Sequence, residues 1–164
     1  MKRISIVLAF IVFSIINLNA QAPLGKGGAQ LNAGFGFSGW GIPIYVGADF
    51  GVAKDFTLGI EGSFRSYSDG WGNYTVFGFL GNANYHFNTI MNIPSNWDFY
   101  AGLNLGFYSW STPNGYNGPH SSGLGLGLQI GGRYFFNNKF GLNLEFDGGN
   151  TLSGGKFGIT YRFK

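Results

Sequence analysis

The sequence predicts an all-β fold, an eight-stranded antiparallel up-and-down transmembrane β-barrel preceded by a signal peptide, and three observations carry that expectation. Apolar residues recur at every second position through eight successive segments, the period of a strand with two unlike faces. Charged residues that fall inside those segments occupy the opposite phase. Aromatic residues make up 19% of the 164 residues and charged residues only 10%, whereas a soluble domain carries about 25% charged residues with which to face water.

The chain has room for one domain once a leader is removed. Its mean hydropathy of +0.07 is too low for a bundle of membrane helices, which needs runs of about 20 apolar residues, but suits strands that show half their residues to lipid. There are 30 glycines and no cysteines, so a disulfide framework, thiolate metal ligands and a lipidated cysteine are all excluded. The formal charge of +3 includes Lys2 and Arg3, which leaves about +1 for the rest. That small excess argues for no nucleic-acid partner.

Lys2 and Arg3 precede an apolar run from Ile4 to Ile16, followed by Asn17, Leu18, Asn19 and Ala20. This is the layout of a cleaved leader, and it divides the chain into a signal peptide over 1–20 and an outer-membrane barrel domain over 21–164. Leu18 departs from the small residue expected three positions before the cut. An N-terminal membrane anchor is the alternative, and a run of 13 residues is short for one.

The first segment carries Leu31, Ala33, Phe35 and Phe37 on its apolar phase, and the second Ile44, Val46, Ala48 and Phe50. Phe56, Leu58, Ile60 and Phe64 mark the third; Phe77, Phe79, Ala83, Tyr85 and Phe87 the fourth; Phe99, Ala101, Leu103, Leu105 and Phe107 the fifth. Leu124, Leu126, Leu128 and Ile130 follow, then Phe140, Leu142, Leu144 and Phe146, and last Phe157, Ile159, Tyr161 and Phe163. The opposite phase holds Asp49, Glu61, Arg65, Arg133, Glu145, Asp147, Lys156 and Arg162 among Asn, Gln, His86 and glycine. Lys26, Lys54, Asp55, Asp69, Asp98, Lys139 and Lys164 are read as turn, edge or end residues.

Tight turns at 53–55 and 136–139 alternate with longer stretches at 67–73 and 110–122, the barrel pattern of short periplasmic turns and longer outer loops. Two connections depart from it: 88–97 is long for a periplasmic turn, and 39–43 is short for an outer loop. Trp40, Trp71 and Trp110 fall at outer strand ends and Trp97 at an inner one, which makes them candidate interfacial aromatics.

Alternation alone does not say which face points out, since a soluble lipocalin-like barrel shows the same period with the apolar phase inside. Three features favour outer-membrane lipid as the partner of the apolar phase. The polar phase is too sparse in charge to coat a soluble protein, the apolar phase holds more Phe and Leu than a small bore can take, and the strands reach the 9 to 11 or so residues that cross hydrocarbon at a tilt.

Three stretches carry a family resemblance: the leader end Asn19-Ala20-Gln21, the turn Gly51-Val-Ala-Lys-Asp-Phe-Thr-Leu-Gly59, and the closing strand from Lys156 to Phe163. With them, the whole mature chain resembles the small outer-membrane barrels of the OmpA/OmpX type, in particular their Bacteroidota relatives. The resemblance implies export to the bacterial outer membrane and delivery by the barrel assembly machinery, which reads a terminal aromatic residue; here Lys164 follows Phe163. Some members of that family use a luminal charge network as the gate of a narrow pore.

Eight strands leave a bore that side chains fill. The four luminal acids and four luminal bases are equal in number, as buried charges require. Counting back from the 148–152 loop sets Glu145 opposite Lys156, with Arg133, Arg162 and Glu61 supplying the rest of a network that also holds Asp49 and Arg65. Gly34, Gly36 and Gly39 fit a dinucleotide-binding glycine pattern, but no βαβ unit surrounds them. His86 and His120 fall at opposite rims, so neither they nor Ser121 and Ser122 make a catalytic constellation, and no residues have metal-ligand spacing. The expected function is a structural or surface-interaction role through the outer loops, with a possible surface ligand there, no catalysis and no cofactor. A narrow channel for small solutes or ions and a soluble periplasmic ligand-binding barrel are the alternatives.

Overall fold

The computed structural model describes residues 23–39, 41–70, 72–111, 122–149 and 154–163. The expected leader, Trp40, Trp71, His120, Ser121, Lys164 and most of the 110–122 stretch lie outside them. Eight strands run in sequence order: β1 (Ala29–Phe37), β2 (Ile44–Ala53), β3 (Phe56–Asp69), β4 (Gly72–His86), β5 (Trp97–Ser111), β6 (Gly123–Phe135), β7 (Phe140–Gly149) and β8 (Gly154–Arg162). Each pairs antiparallel with its neighbours, and β8 pairs back onto β1, so the sheet closes. The expected eight-stranded up-and-down barrel is the fold.

Orientation follows the period of two. Outward residues such as Phe79 and Leu126 are 61% and 60% exposed, while inward Gln30 and His86 are fully buried. The apolar phase therefore faces outside and the polar phase lines the lumen, the reverse of a soluble barrel. Closure at the seam depends on glycine. Gly34 and Gly158 stand opposite each other on β1 and β8, and a Cβ on Gly34 would lie 2.2 Å from the Phe157 carbonyl oxygen.

Strand lengths are uneven. β3, β4, β5 and β6 have 14, 15, 15 and 13 residues, whereas β1, β2, β7 and β8 have 9, 10, 10 and 9. At the rim that holds the chain ends of the barrel, here the terminal rim, the strands start almost level, so β3 to β6 rise above the rest at the distal rim. The 67–73 stretch, expected as a loop, belongs at residues 67–69 to β3 and at 72–73 to β4, with Asp69 paired to Gly72.

The long 88–97 connection at the terminal rim contains one helical turn, α1 (Asn88–Met91), which ends on Asn92 in the left-handed region at φ 50°. Its lead residue replaces strand pairing with side-chain bonds: Asn88 Nδ2 donates to the Trp97 carbonyl at 2.6 Å and Asn88 Oδ1 accepts from Phe99 N at 3.3 Å. Thr89 Oγ1 donates to Asp55 Oδ1 at 2.6 Å, which ties α1 to the β2–β3 turn. Residues 24–28 fold against the same rim, with Gly27 N on Gly51 O at 2.8 Å and Gly51 N on Gly28 O at 3.0 Å, and bury Leu24.

Candidate functional site: the lumen and the distal wall

The lumen is built from alternate residues of all eight strands, and its charges gather in two groups. In the terminal half, Arg133 of β6 reaches across to Asp49 of β2 (Nη2 to Oδ2, 2.7 Å) and to Asp98 of β5 (Nη1 to Oδ2, 3.0 Å). Its guanidinium carbon lies 4.1 Å from the centre of the Tyr100 ring. Asp49 Oδ2 also accepts from Gln30 Nε2 at 3.0 Å and Asn32 Nδ2 at 2.8 Å. Asp98 Oδ1 bonds His86 Nδ1 at 2.6 Å, and His86 Nε2 meets Thr57 Oγ1 at 3.0 Å.

In the distal half, Lys156 Nζ lies 2.6 Å from Glu145 Oε1, 2.9 Å from Glu61 Oε2 and 3.4 Å from Asp147 Oδ2. Glu145 and Lys156 are direct partners across β7 and β8, the pairing expected from the hairpin count. Tyr100 joins the two groups: it carries Arg133 on its ring and donates its hydroxyl to Glu145 Oε2 at 2.7 Å. An amide ladder runs beside them, from Asn104 Nδ2 to Gln129 Oε1 at 3.0 Å and from Gln129 Nε2 to Asn84 Oδ1 at 2.7 Å. Buried ions held by several partners each are what a low-dielectric interior demands.

Of the seven residues expected in the network, five meet in these groups: Asp49, Arg133, Glu61, Glu145 and Lys156. The other two sit at opposite ends of the bore. Arg65 donates from Nη1 to Ser38 Oγ at 3.0 Å under the distal rim, and Arg162 lies 4.1 Å over the Phe135 ring near the terminal rim. Asp98 was expected at a strand edge, yet it is the second residue of β5 and fully buried. Its phase is that of Tyr100 and Asn104, which was the signal available for finding it. With it the described part of the lumen holds five carboxylates against four Lys and Arg, and Asp98 shares its hydrogen bonding between Arg133 and His86.

Thr57, His86 and Asp98 have the hydroxyl–imidazole–carboxylate order of an acyl-transfer triad. All three are at most 1% exposed, and none lines either of the two luminal cavities. Buried and outside both cavities, the three belong to the polar core of the barrel. The two cavities measure about 20 Å³ each, room for about one water apiece. One lies between Asn32, Asp49, Glu61 and Arg133, the other between Ser63, Arg65, Asp147 and Lys156. No group of His, Asp and Glu suited to a metal occurs among the described residues.

Trp97 stands at the terminal rim, as expected, in a belt with Phe99 and Tyr134 at ring separations of 5.5 and 4.7 Å. Trp110, the other described tryptophan expected at an interface, lies near the distal end of β5. It shares the inward phase of Tyr108, and its ring meets that of Tyr67 edge-on at 6.5 Å. Tyr67 in turn stacks on Tyr74 at 4.9 Å. The distal wall therefore turns its aromatic side inward. Its outward side changes character abruptly: the apolar rows end at Phe64, Phe77 and Phe107, and the same phase continues as Ser66, Ser68, Asn73, Thr75, Ser109 and Ser111. The register makes these six contiguous, with Ser66 opposite Thr75, Ser68 opposite Asn73 and Thr75 opposite Ser111.

No family model matches the chain, and no curated protein matches it in sequence. Solved structures do match it in fold. The N-terminal β-barrel domain of Pseudomonas aeruginosa OprF is 15% identical with a TM-score of 0.60, covering 85% of this chain and 99% of that one. Neisserial surface protein A is 16% identical with a TM-score of 0.55 over 83% of this chain and 95% of that one. Ail, the attachment invasion locus protein of Yersinia pestis, is 13% identical with a TM-score of 0.50 over 84% and 99%. The fold is that of the small eight-stranded outer-membrane barrels.

Proposed function

We propose that this chain is an integral outer-membrane barrel, exported by the leader over 1–20, delivered by the barrel assembly machinery, and acting as a sealed, non-catalytic scaffold whose distal rim meets surface partners. The observation that carries the reading is the pairing of an apolar exterior with a filled lumen. Residues such as Phe79, Leu105 and Leu126 would stand in water at about 60% exposure in a soluble protein, a cost of order 1 kcal/mol or more for each that lipid removes. Inside, the ties from Arg133 to Asp49 and from Lys156 to Glu61 cross the bore, and the two luminal cavities beside them are water-sized. That filling opposes the narrow-channel alternative, and the outward apolar phase opposes the soluble ligand-binding one. Matches in fold to a protein named for surface location and another named for attachment and invasion support a role at the cell surface.

The test is purification from outer membranes, an electrophoretic shift on boiling, and conductance in planar bilayers. The reading expects the membrane fraction, a shift, and no discrete channel openings. Recovery from the soluble periplasm would overturn the membrane reading, and steady openings that change in Glu145→Ala would replace the scaffold with a channel.

A further inference from the structure

We propose that the mouth of the barrel at the terminal rim is a binding site for a small phosphorylated molecule in solution. The site goes beyond the scaffold reading, which supplies only the compartment this mouth faces, the periplasm. Between residues 23–28, Asn138 of the β6–β7 turn and Arg162 lies a cavity of about 450 Å³, against about 20 Å³ for each luminal cavity. Small-molecule sites measure roughly 300–1,000 Å³, so this one has room for more than a bare ion.

Its walls are preformed. The Gly25 carbonyl accepts from Gly28 N at 2.9 Å across a turn whose third residue, Gly27, has φ 81°, the backbone of a type II turn with Lys26 at its second position. The two bonds to Gly51 pin that turn to β2, so closely that a Cβ on Gly51 would run into the Gly25 carbonyl oxygen. Buried Leu24 anchors it from within. On the opposite wall, Arg162 N donates to Lys139 O at 2.8 Å and Phe163 N to Ala29 O at 2.9 Å, which ties the end of β8 on both sides. The Arg162 side chain is held by its face over Phe135, and a guanidinium stacked that way donates from its edges.

Charge selects the ligand. Lys26 and Arg162 both line the cavity, and no carboxylate does. Neither the Lys26 ammonium nor the Asn138 amide, the other polar head in its wall, has a hydrogen bond or ion pair with another described residue. Lys54 and Lys139 stand exposed at the same rim against Asp55, which already accepts from Thr89. Asp98, the acid that acts on Arg162 from the core, is itself held by Arg133 and His86. Two cations and an amide donor facing one space match a doubly charged phosphate monoester, whose oxygens accept from Arg, Lys and Asn alike.

The experiment is a calorimetric titration of the full chain in dodecyl maltoside micelles, where both rims are open, with glycerol 3-phosphate, inorganic phosphate and glycerol in turn. Salt at about 150 mM screens diffuse attraction to the rim. The expected result is saturable binding of both phosphates and none of glycerol. Lys26→Ala is expected to weaken it by about tenfold, as loss of one charged hydrogen bond does, while Lys54→Ala, on the same rim but outside the cavity, leaves it unchanged. Absence of saturation by either phosphate overturns the proposal, as does equal binding of glycerol. Equal loss in the two variants also overturns it, by assigning the effect to the overall charge of the rim. So does binding to phosphatidylglycerol bilayers that neither soluble phosphate displaces, which would make the ligand a lipid headgroup. The comparison of phosphates with glycerol uses the unaltered chain, so it decides even if a variant misfolds. Recovery of the chain from the soluble periplasm would sink the outer-membrane reading and leave this titration standing, so the two fail separately.

Discussion

Arg133→Met removes the cation that holds the terminal half of the lumen together while preserving much of its volume. Arg133 is 2% exposed at its side chain, bonds Asp49 at 2.7 Å and Asp98 at 3.0 Å, and lies over Tyr100 at 4.1 Å. Without it two buried carboxylates lose their counter-ion, and deleting one partner of a buried pair costs about 3–5 kcal/mol. Asp49 keeps Gln30 and Asn32 as donors and Asp98 keeps His86, which favours the lower end, about 3 kcal/mol. That is about two powers of ten in the unfolding equilibrium. The assay is urea titration in lipid vesicles followed by tryptophan fluorescence. Removing a stranded carboxylate as well should restore part of the loss, so Arg133→Met/Asp98→Asn is expected to unfold at higher urea than Arg133→Met. A single variant within about 1 kcal/mol of the parent, or a double variant no better than the single one, would refute the reasoning that the two carboxylates depend on this guanidinium.

Gly34→Ala should abolish the boiling-dependent electrophoretic shift, because its Cβ would stand 2.2 Å from the Phe157 oxygen at the seam; Gly62→Ala, where a Cβ has nothing within 4 Å, should leave the shift intact. Leu105→Arg on the outward face should cost about 2–4 kcal/mol in vesicles if that face meets lipid near mid-depth, and equal unfolding midpoints for variant and parent in vesicles would refute that placement. Thr57→Val keeps the shape but strips the partner from His86 Nε2, 3.0 Å away. A loss of about 1–3 kcal/mol in urea titration is expected for a buried polar atom left unsatisfied, and no loss would mean that water reaches the ring.

The eight strands were legible because each keeps one apolar phase across the width of a membrane, and the Glu145–Lys156 pair because a hairpin count needs only one turn. Asp98 was not, because phase has meaning only once a strand's start is known, and β5 begins one residue earlier, after a connection that bonds through Asn88 instead of a ladder. The 67–73 stretch was read as a loop for a related reason. Above the apolar belt the alternation inverts, with Tyr67 and Tyr74 inward and Ser66, Ser68 and Asn73 outward, so a search for outward hydrophobes finds nothing there. Tyr100 was missed because an aromatic ring in the polar phase gives no sign from sequence that its hydroxyl has a partner on another strand.

The join between the first and last strands also governs how the molecule comes apart. β1 and β8 lie at opposite ends of the chain, so their pairing carries the longest loop entropy in the fold and is expected to form late. Arg133 on β6 holds Asp49 on β2, and Lys156 on β8 holds Glu61 on β3. Both ties span distances that exist only while the sheet is curled. Parting at the glycine seam lets the sheet flatten and pulls every such tie beyond reach together, and restoring any one tie draws the edges back toward each other. The cylinder therefore behaves like a hoop held by its own spokes, with intermediates of partial curvature depleted and a single sharp transition between open and shut.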